Sequence, residues 1–142
     1  MKHDMSRPTV TILTDLPKIA IPHDPIVLYN GSTLMLCYEI SQSEGEYAII
    51  KFDPVEYTVT PINDEGLGTH RYAEYGLKWY EIHEIENIEE LSKWQALAPK
   101  YWVFCFKDRT VEIIGTELNV LEKACDSDKL KNLMDEFIKE YI

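Results

Sequence analysis

Four histidines and three cysteines give this chain most of its capacity for acid–base or nucleophilic chemistry. His70 adjoins Arg71 and His23 adjoins Asp24, and both pairs lie in segments without strand or helix periodicity. A loop histidine could supply half of an acid–base pair, because imidazole titrates near neutral pH. Since a lone loop histidine is more often a surface residue, these pairs indicate candidate polar contacts and do not define an active site.

Residues 61–76 form the least regular stretch and carry His70 and Arg71 together with Tyr72 and Glu74. A loop of this length is uncommon in a compact domain and is often functional. One hypothesis is therefore a small-ligand-binding protein, or a weakly marked hydrolase, with a pocket under this loop. The four named side chains would then be its polar contacts.

An acidic run follows between residues 81 and 90, where five glutamates occur without a lysine or arginine. Tyrosine and tryptophan residues precede it, and aromatic anchors with steering charges are typical of protein-binding surfaces. The alternative is that the acids favour a helix N-terminus and the aromatics belong to the core. The predicted binding residues are His70, Arg71, Tyr72, Tyr75, Trp79, Glu81, Glu84 and Glu86.

The common catalytic and cofactor motifs are incomplete or absent. The zinc motif H-E-x-x-H starts at His83 but has Asn87 in place of its second histidine. G-x-G-x-x-G starts at Gly66 and fails at Arg71, and neither G-x-x-x-x-G-K-[ST] nor G-x-S-x-G occurs. The acidic turn at 63–66 lacks the alternating ligands of a calcium loop. We therefore expect no metal and no cofactor, and the sequence favours a binding protein over an enzyme.

The cysteines and the terminus indicate the compartment. Cys37 and Cys105 lie in predicted strands and should be core residues, whereas Cys125 could be exposed before the last helix. Its neighbours Asp126 and Asp128 would raise the pKa of its thiol. An odd number of distant cysteines and no apolar signal or membrane segment favour a cytoplasmic protein with reduced thiols.

Charge narrows the range of partners. The chain has 25 acidic against 14 basic residues and a formal net charge of −11. This charge disfavours binding to nucleic acid or to an anionic membrane, because phosphate neutralisation needs clustered Lys and Arg. It permits a basic protein partner, and it also serves solubility alone.

The fold is predicted around a hairpin at residues 101–115. Trp102, Phe104 and Phe106 should lie on one face of its first strand, with apolar residues also on the other face. Such a strand is central and covered on both sides. The apolar stripe of a C-terminal helix, from Leu130 to Phe137 and beyond, should pack on the Trp102 face.

The other elements complete an α+β domain, an antiparallel meander of about six or seven strands with two helices. Strands are predicted at 26–29, 33–40, 46–52, 55–60 and 78–85, with short ones at 9–13 and 118–121. A helix should begin at an Asn87 cap and end before Pro99. One domain is expected over 1–142, with 1–25 as an extended, partly flexible arm.

Three function hypotheses remain open. The leading one is a non-enzymatic module that binds a basic protein through an acidic, aromatic-bearing surface at 61–90. An inhibitor or immunity-type protein for a basic partner would fit this charge. The second is the pocket under residues 61–76. The third is an oligomeric structural protein that uses the last helix or an edge strand as its interface.

Overall fold

A computed structural model describes residues 7–21, 23–63 and 65–141, without the side chain of Tyr141. It contains one seven-stranded antiparallel sheet in the order β1-β5-β6-β7-β4-β3-β2 and two α-helices, which confirms the α+β prediction. The strands are β1 Thr9–Ile12, β2 Ile26–Tyr29, β3 Leu34–Glu39, β4 Tyr47–Thr60, β5 Ile82–Glu86, β6 Lys100–Cys105 and β7 Thr110–Cys125. The helices are α1 Glu89–Ser92 and α2 Ser127–Tyr141, and 3-10 turns occupy Leu67–Thr69, Ala73–Tyr75 and Gln95–Leu97.

Two long strands, β4 and β7, hold the sheet together. The sequence predicted β4 as two strands because Asp53 and Pro54 interrupt it, and that division is wrong. The strand continues through register shifts around Pro54, which lies opposite Gly115 of β7. A Cβ atom at Gly115 would lie 2.8 Å from the carbonyl oxygen of Asp53, so the close approach of the two backbones requires glycine there.

The sheet bends, and β4 and β7 each run through both of its sides, so that the two ends of each strand belong to different sides. Of β7, only residues 110–115 pair with β6. Of β4, only residues 47–52 pair with β3. The ring centroids of Tyr38 on β3 and Phe104 on β6 lie 6.4 Å apart, although two strands separate them in the sheet. Strands are spaced by about 4.8 Å, so a flat sheet could not bring these rings together. The sheet therefore folds over its own inner face.

This inner face is the main core of the protein. It is lined by Ile19, Leu34, Leu36, Tyr38, Ala48, Ile50, Phe52, Ile82, Trp102, Phe104, Phe106, Val111 and Ile113. The alternate residues of β6, Tyr101, Val103 and Cys105, are buried on the outer face. The prediction that β6 is central and covered on both sides is confirmed.

Helix α2 packs on the sheet, as predicted, but on a different part of it. Leu130 and Phe137 are buried against Met35, Cys37 and Ile49, which lie on the outer face of β3 and β4. The prediction that the helix covers Trp102, Phe104 and Phe106 is wrong, because the folded-over sheet already covers them. Asp126 caps the helix by accepting a hydrogen bond from the Lys129 N–H at 2.8 Å.

The segments before and after β5, at residues 65–81 and 87–98, cover the outer face of β5, β6 and β7. They contain less regular structure than predicted. The strand predicted at 78–85 begins only at Ile82, since Tyr80 has a φ of 61°. The helix predicted from Asn87 shrinks to one turn of α1 and a 3-10 turn. Asn87 is not its cap, because its φ of 60° is left-handed and Ile88 takes the capping position.

The N-terminal segment bridges both sides of the bent sheet. β1 pairs with β5, β2 pairs with β3, and Ile19 forms a bridge to Ile40 between them. Ile19 is buried in the inner core, so this segment helps to close the sheet. The predicted flexibility of the first residues concerns positions 1–6, which lie outside the described residues.

Candidate functional site

A cavity of about 370 Å³ opens on the outer face of β4 and β7, under the loop that carries His70. Its floor comes from strand residues, and its wall from the loop and from α1. Three carboxylates and one guanidinium line it, so its charge is net negative. The lining residues are Glu56, Tyr57, Thr58, Ile62, Thr69, His70, Arg71, Glu90, Tyr101, Glu112 and Ile114.

Glu112 is the central polar group of this cavity. It lies on β7 between buried Val111 and Ile113, and alternation turns its side chain to the outer face. The hydroxyl of Tyr101 on β6 donates a hydrogen bond to its Oε1. His70 Nε2 lies 3.2 Å from the same oxygen. Within the described residues no donor contacts Oε2, and the side chain keeps 18% exposure, which leaves this oxygen for a ligand.

Hydrogen-bond geometry assigns the tautomer of His70. The backbone N–H of Tyr72 donates to Nδ1 at 3.1 Å, so Nδ1 carries no proton. The proton of the neutral ring is therefore on Nε2, where it is donated to Glu112. Both ring nitrogens are engaged inside the protein, and the side chain is 3% exposed. This arrangement suits a residue that orients Glu112 better than one that takes a proton from a substrate.

The surroundings of Glu112 hold it in the ionised form. Burial alone would raise the pKa of Glu112, but hydrogen bonds from His70 and Tyr101 and the electrostatic effects of His70 and Arg71 outweigh burial, so the pKa is lowered. Burial and the charge of Glu112 raise the pKa of Tyr101, which remains a donor. The cavity therefore holds an ionised carboxylate that accepts hydrogen bonds from His70 and Tyr101.

The pH dependence of stability follows from this pKa. Because the folded-state pKa of Glu112 lies below the ordinary value of 4.5, its contribution to stability is complete above that pH and is lost as the pH falls through the folded-state pKa. We expect Glu112→Gln to make folding stability depend less on pH in this acid range. Urea denaturation midpoints of the wild type and the variant, measured across the range, test this expectation. Parallel plots of midpoint against pH for the two proteins would contradict it.

Ion pairs connect the loop at residue 71 to α1, and the residues after α1 to β4, at the rim of the cavity. Arg71 pairs with Glu90 of α1, which also accepts a 2.5 Å hydrogen bond from the Tyr72 hydroxyl. Lys93 lies 3.4 Å from Glu56, which accepts a 2.8 Å hydrogen bond from Trp94 Nε1. Glu56 and Glu90 thus each have a lysine or arginine partner. Among the described residues, Glu112 is the carboxylate of the cavity that forms no ion pair with lysine or arginine.

The structure divides the residues predicted from sequence as a binding surface. His70 and Arg71 line the cavity, whereas Tyr72 does not line it and contacts its rim through a hydrogen bond to Glu90. The Tyr75 ring packs 6.4 Å from that of Tyr72. Glu74 is exposed and does not line the cavity.

The remaining predicted residues lie elsewhere. Trp79 is 57% exposed beside a separate shallow depression. Glu81 pairs with Lys18 at 3.2 Å, and Glu84 approaches Lys100 at 4.0 Å near Trp102, on the inner side of the sheet. Glu86 is exposed at the end of β5, opposite Thr9. Of the acidic run, Glu90 contacts Tyr72, whereas Glu81, Glu84 and Glu86 do not form one continuous surface with it.

Sequence reasoning missed Glu112, Tyr101 and Glu56. The available signal was that Glu112 is the single charged side chain within residues 110–115, on a strand whose neighbour is apolar on both faces. A charge in a buried sheet face needs partners, and this requirement could have marked Glu112 before the structure was known.

A second buried pair, His83 and Cys105, resembles a nucleophile with its base but lacks the required properties. The sulfur lies 3.9 Å from His83 Nδ1. His83 accepts from the Lys78 N–H at 3.0 Å, and its Nδ1 lies 3.1 Å from the Val103 carbonyl. Burial raises the pKa of Cys105 to about 12 and lowers that of His83, so no thiolate–imidazolium pair forms. This histidine anchors residues 77–80 to the sheet.

The cysteines predicted as core residues, Cys37 and Cys105, are buried. Cys125 is buried too, so its expected exposure is wrong. The pKa of its thiol is raised by burial and by nearby acids, in the direction expected.

Within the described residues, no helix has the length and apolar content that crossing a membrane requires. In the same part of the chain, no three His, Cys, Asp or Glu side chains are arranged to hold a metal ion. Comparisons with protein-family models, with curated proteins and with solved structures find no match for this chain.

Proposed function

We propose that this protein is a non-enzymatic binding module for a basic protein partner, and that its cavity accepts a lysine or arginine side chain. The observation that carries the proposal is Glu112, an ionised carboxylate that two hydrogen-bond donors, His70 and Tyr101, orient inside an open cavity. A charge in such surroundings is screened less than a surface charge, so its attraction for a cation is strong.

The whole chain has complementary charge. Its net charge of −11 favours encounter with a basic partner and disfavours encounter with polyanions. An inhibitor or immunity-type role, in which an acidic protein blocks a basic one, fits both the charge and the cavity. Three free, buried cysteines suit a reducing compartment such as the cytoplasm. Association should slow steeply as salt is raised.

Catalysis has less support than binding at the same site. Both nitrogens of His70 are engaged, and the thiol of Cys105 is buried with a raised pKa. The oligomeric alternative is also weaker for an interface on α2, because Leu130 and Phe137 are already buried within the chain.

A small organic cation is the second candidate ligand. The cavity volume of about 370 Å³ lies within the range of small-molecule sites, about 300–1,000 Å³. In this case the ligand would be bound whole, and not as the side chain of a protein. The two candidates differ in the affinity expected for an isolated cationic group.

The test uses N-acetyl-arginine methylamide as the probe and the citrulline analogue, which has the same shape without charge, as its control. We expect saturable chemical-shift changes at His70, Tyr101 and Glu112 with the arginine probe only. Glu112→Gln should remove them, whereas the matched variant Glu117→Gln, at an exposed position of the same strand, should not.

Affinity then separates the two candidates. A dissociation constant of about 1 mM or weaker is expected if a protein partner supplies the remaining contacts, and one near about 1 μM would favour a small ligand. Equal responses to the arginine and citrulline probes would refute both.

A further inference from the structure

One edge of β4 is open beside the cavity. β3 pairs with β4 only as far as the match between Leu34 and Phe52, and β4 then bends away. From residue 53 to residue 60, β4 pairs with β7 on one side, and no strand of the described residues pairs with its other side. Such an edge presents unpaired backbone N–H and C=O groups.

Strand register shows which residues present these groups. At the hairpin, the Phe106 N–H donates to the Arg109 carbonyl at 2.9 Å, and Cys105 N–H instead donates to Glu81 of the neighbouring segment at 3.1 Å. Alternation along β7 then directs the backbone groups of residues 110, 112 and 114 toward β4. Their partners on β4 are residues 60, 58 and 56. The backbone groups of Tyr57 and Val59 therefore point toward the open edge.

The open edge is accessible. The side chains of Tyr57 and Val59 are 38% and 41% exposed, large values for apolar residues of a strand. The ring of Tyr29 packs 5.2 Å from that of Tyr57, at the end nearest β2. Pro54 lies before the exposed pair, so no proline interrupts β4 between residues 55 and 60. Nothing in the described residues replaces the missing strand between 57 and 59.

The cavity begins at the same strand. Glu56 and Thr58 alternate with Tyr57 and Val59 and line the cavity together with Glu90 and Glu112. A strand added at the edge would lie about 4.8 Å from β4. Its side chains on the outer face would therefore stand next to Glu56 and Thr58. A long basic side chain at such a position can lean across Thr58 toward Glu112, which is the cross-strand partner of Thr58.

We propose that an extended, lysine- or arginine-bearing segment of a partner protein adds as a strand to the β4 edge at Tyr57 and Val59, with one basic side chain in the cavity. This inference rests on the proposed function and specifies how the partner is held. Backbone hydrogen bonds at the edge contribute affinity, and the carboxylate of Glu112 selects a basic side chain. A second copy of this chain is a poorer occupant, because it would bring an equal net negative charge to the same edge.

The test follows hydrogen exchange of the Tyr57 and Val59 amides in the ¹⁵N-labelled full chain. The probe is a blocked octapeptide of alternating Thr and Lys. One control carries the same side chains with alternate backbone amides methylated, and another replaces Lys by Glu. We expect the Lys peptide to slow exchange at both amides and the Glu peptide to have no effect. Methylation should weaken binding about tenfold or more.

A protein variant provides an independent check on the edge. Val59→Pro removes one outward N–H without removing a hydrogen bond to β7, whereas Val59→Ala keeps that N–H. Val59→Pro should therefore weaken binding of the Lys peptide more than Val59→Ala does. Thermal unfolding confirms that both variants fold. If Val59→Pro does not fold, the methylated peptide gives the same comparison without altering the protein.

The outcomes separate this inference from the proposed function. Unchanged exchange at Tyr57 and Val59 with the Lys peptide, while Glu112 responds to the arginine probe, overturns the added strand and leaves the cavity proposal standing. Equal slowing by the Lys and Glu peptides overturns the basic chemistry of the partner. Protection that appears without peptide and grows with protein concentration assigns the edge to a second copy and overturns the proposal.

Discussion

Replacing Phe104 by alanine should cost about 3–5 kcal/mol of folding free energy, the range found when a large core aromatic is truncated. Phe104 is fully buried, and its ring meets those of Tyr38, Phe52 and Phe106 at centroid distances of 6.4, 5.8 and 6.4 Å. The loss includes the transfer free energy of the ring and the cavity left at the fold of the sheet.

Equilibrium denaturation in urea measures this change as a shift of the midpoint. Trp79→Ala removes a larger aromatic side chain from an exposed position and should change stability by no more than about 0.5 kcal/mol. Similar losses in the two variants would show that the inner face of the sheet is not the principal core. A loss of the expected size would be a large share of the stability of a domain, typically about 5–15 kcal/mol.

Glu112→Leu should destabilise the protein by about 2–4 kcal/mol, because it leaves two buried donors without an acceptor. His70 Nε2–H and the Tyr101 hydroxyl both donate to the carboxylate. Glu112→Gln should cost less, since the amide oxygen can still accept from one or both of them. The difference between the two variants measures the requirement for an acceptor separately from the requirement for a negative charge.

The same denaturation experiment supplies the comparison. Glu117→Leu makes the identical change at an exposed position on the same strand and should remain within about 0.5 kcal/mol of the wild type. If Glu112→Leu were as stable as wild type, the hydrogen bonds from His70 and Tyr101 would not contribute to folding. The role of these residues in orienting the carboxylate would then be lost as well.

These two residues also show how far prediction from sequence could go. Alternation along residues 101–106 placed Phe104 on one apolar face and Cys105 on the other, and the structure has both faces buried. For Glu112 the same alternation gave only its direction, opposite to Val111 and Ile113. Its partners come from β6 and from the loop at 70, and no local pattern connects those segments.

The misplaced elements have physical causes of the same kind. The sequence predicts a helix from Asn87 to before Pro99, yet a left-handed backbone at Asn87 and Ala98 limits it to short turns. The sequence also divides β4 at Asp53 and Pro54, whereas the strand continues because register shifts on both sides of Pro54 accommodate the proline. In both cases packing against the sheet outweighed local preference.

By itself the sequence determined the α+β class, the approximate positions of the strands but not all their limits, the two apolar faces of β6 and the amphipathic C-terminal helix. These follow from side-chain periodicity, which reports burial within one element. Only the tertiary structure decided that the sheet covers Trp102 and its neighbours, that α2 lies on β3 and β4, and that Glu112 meets His70 in a cavity beside the open edge of β4. The reason is that apolar burial is non-directional, so the sequence shows which faces need cover, whereas the bend of β4 and β7 decides which faces meet.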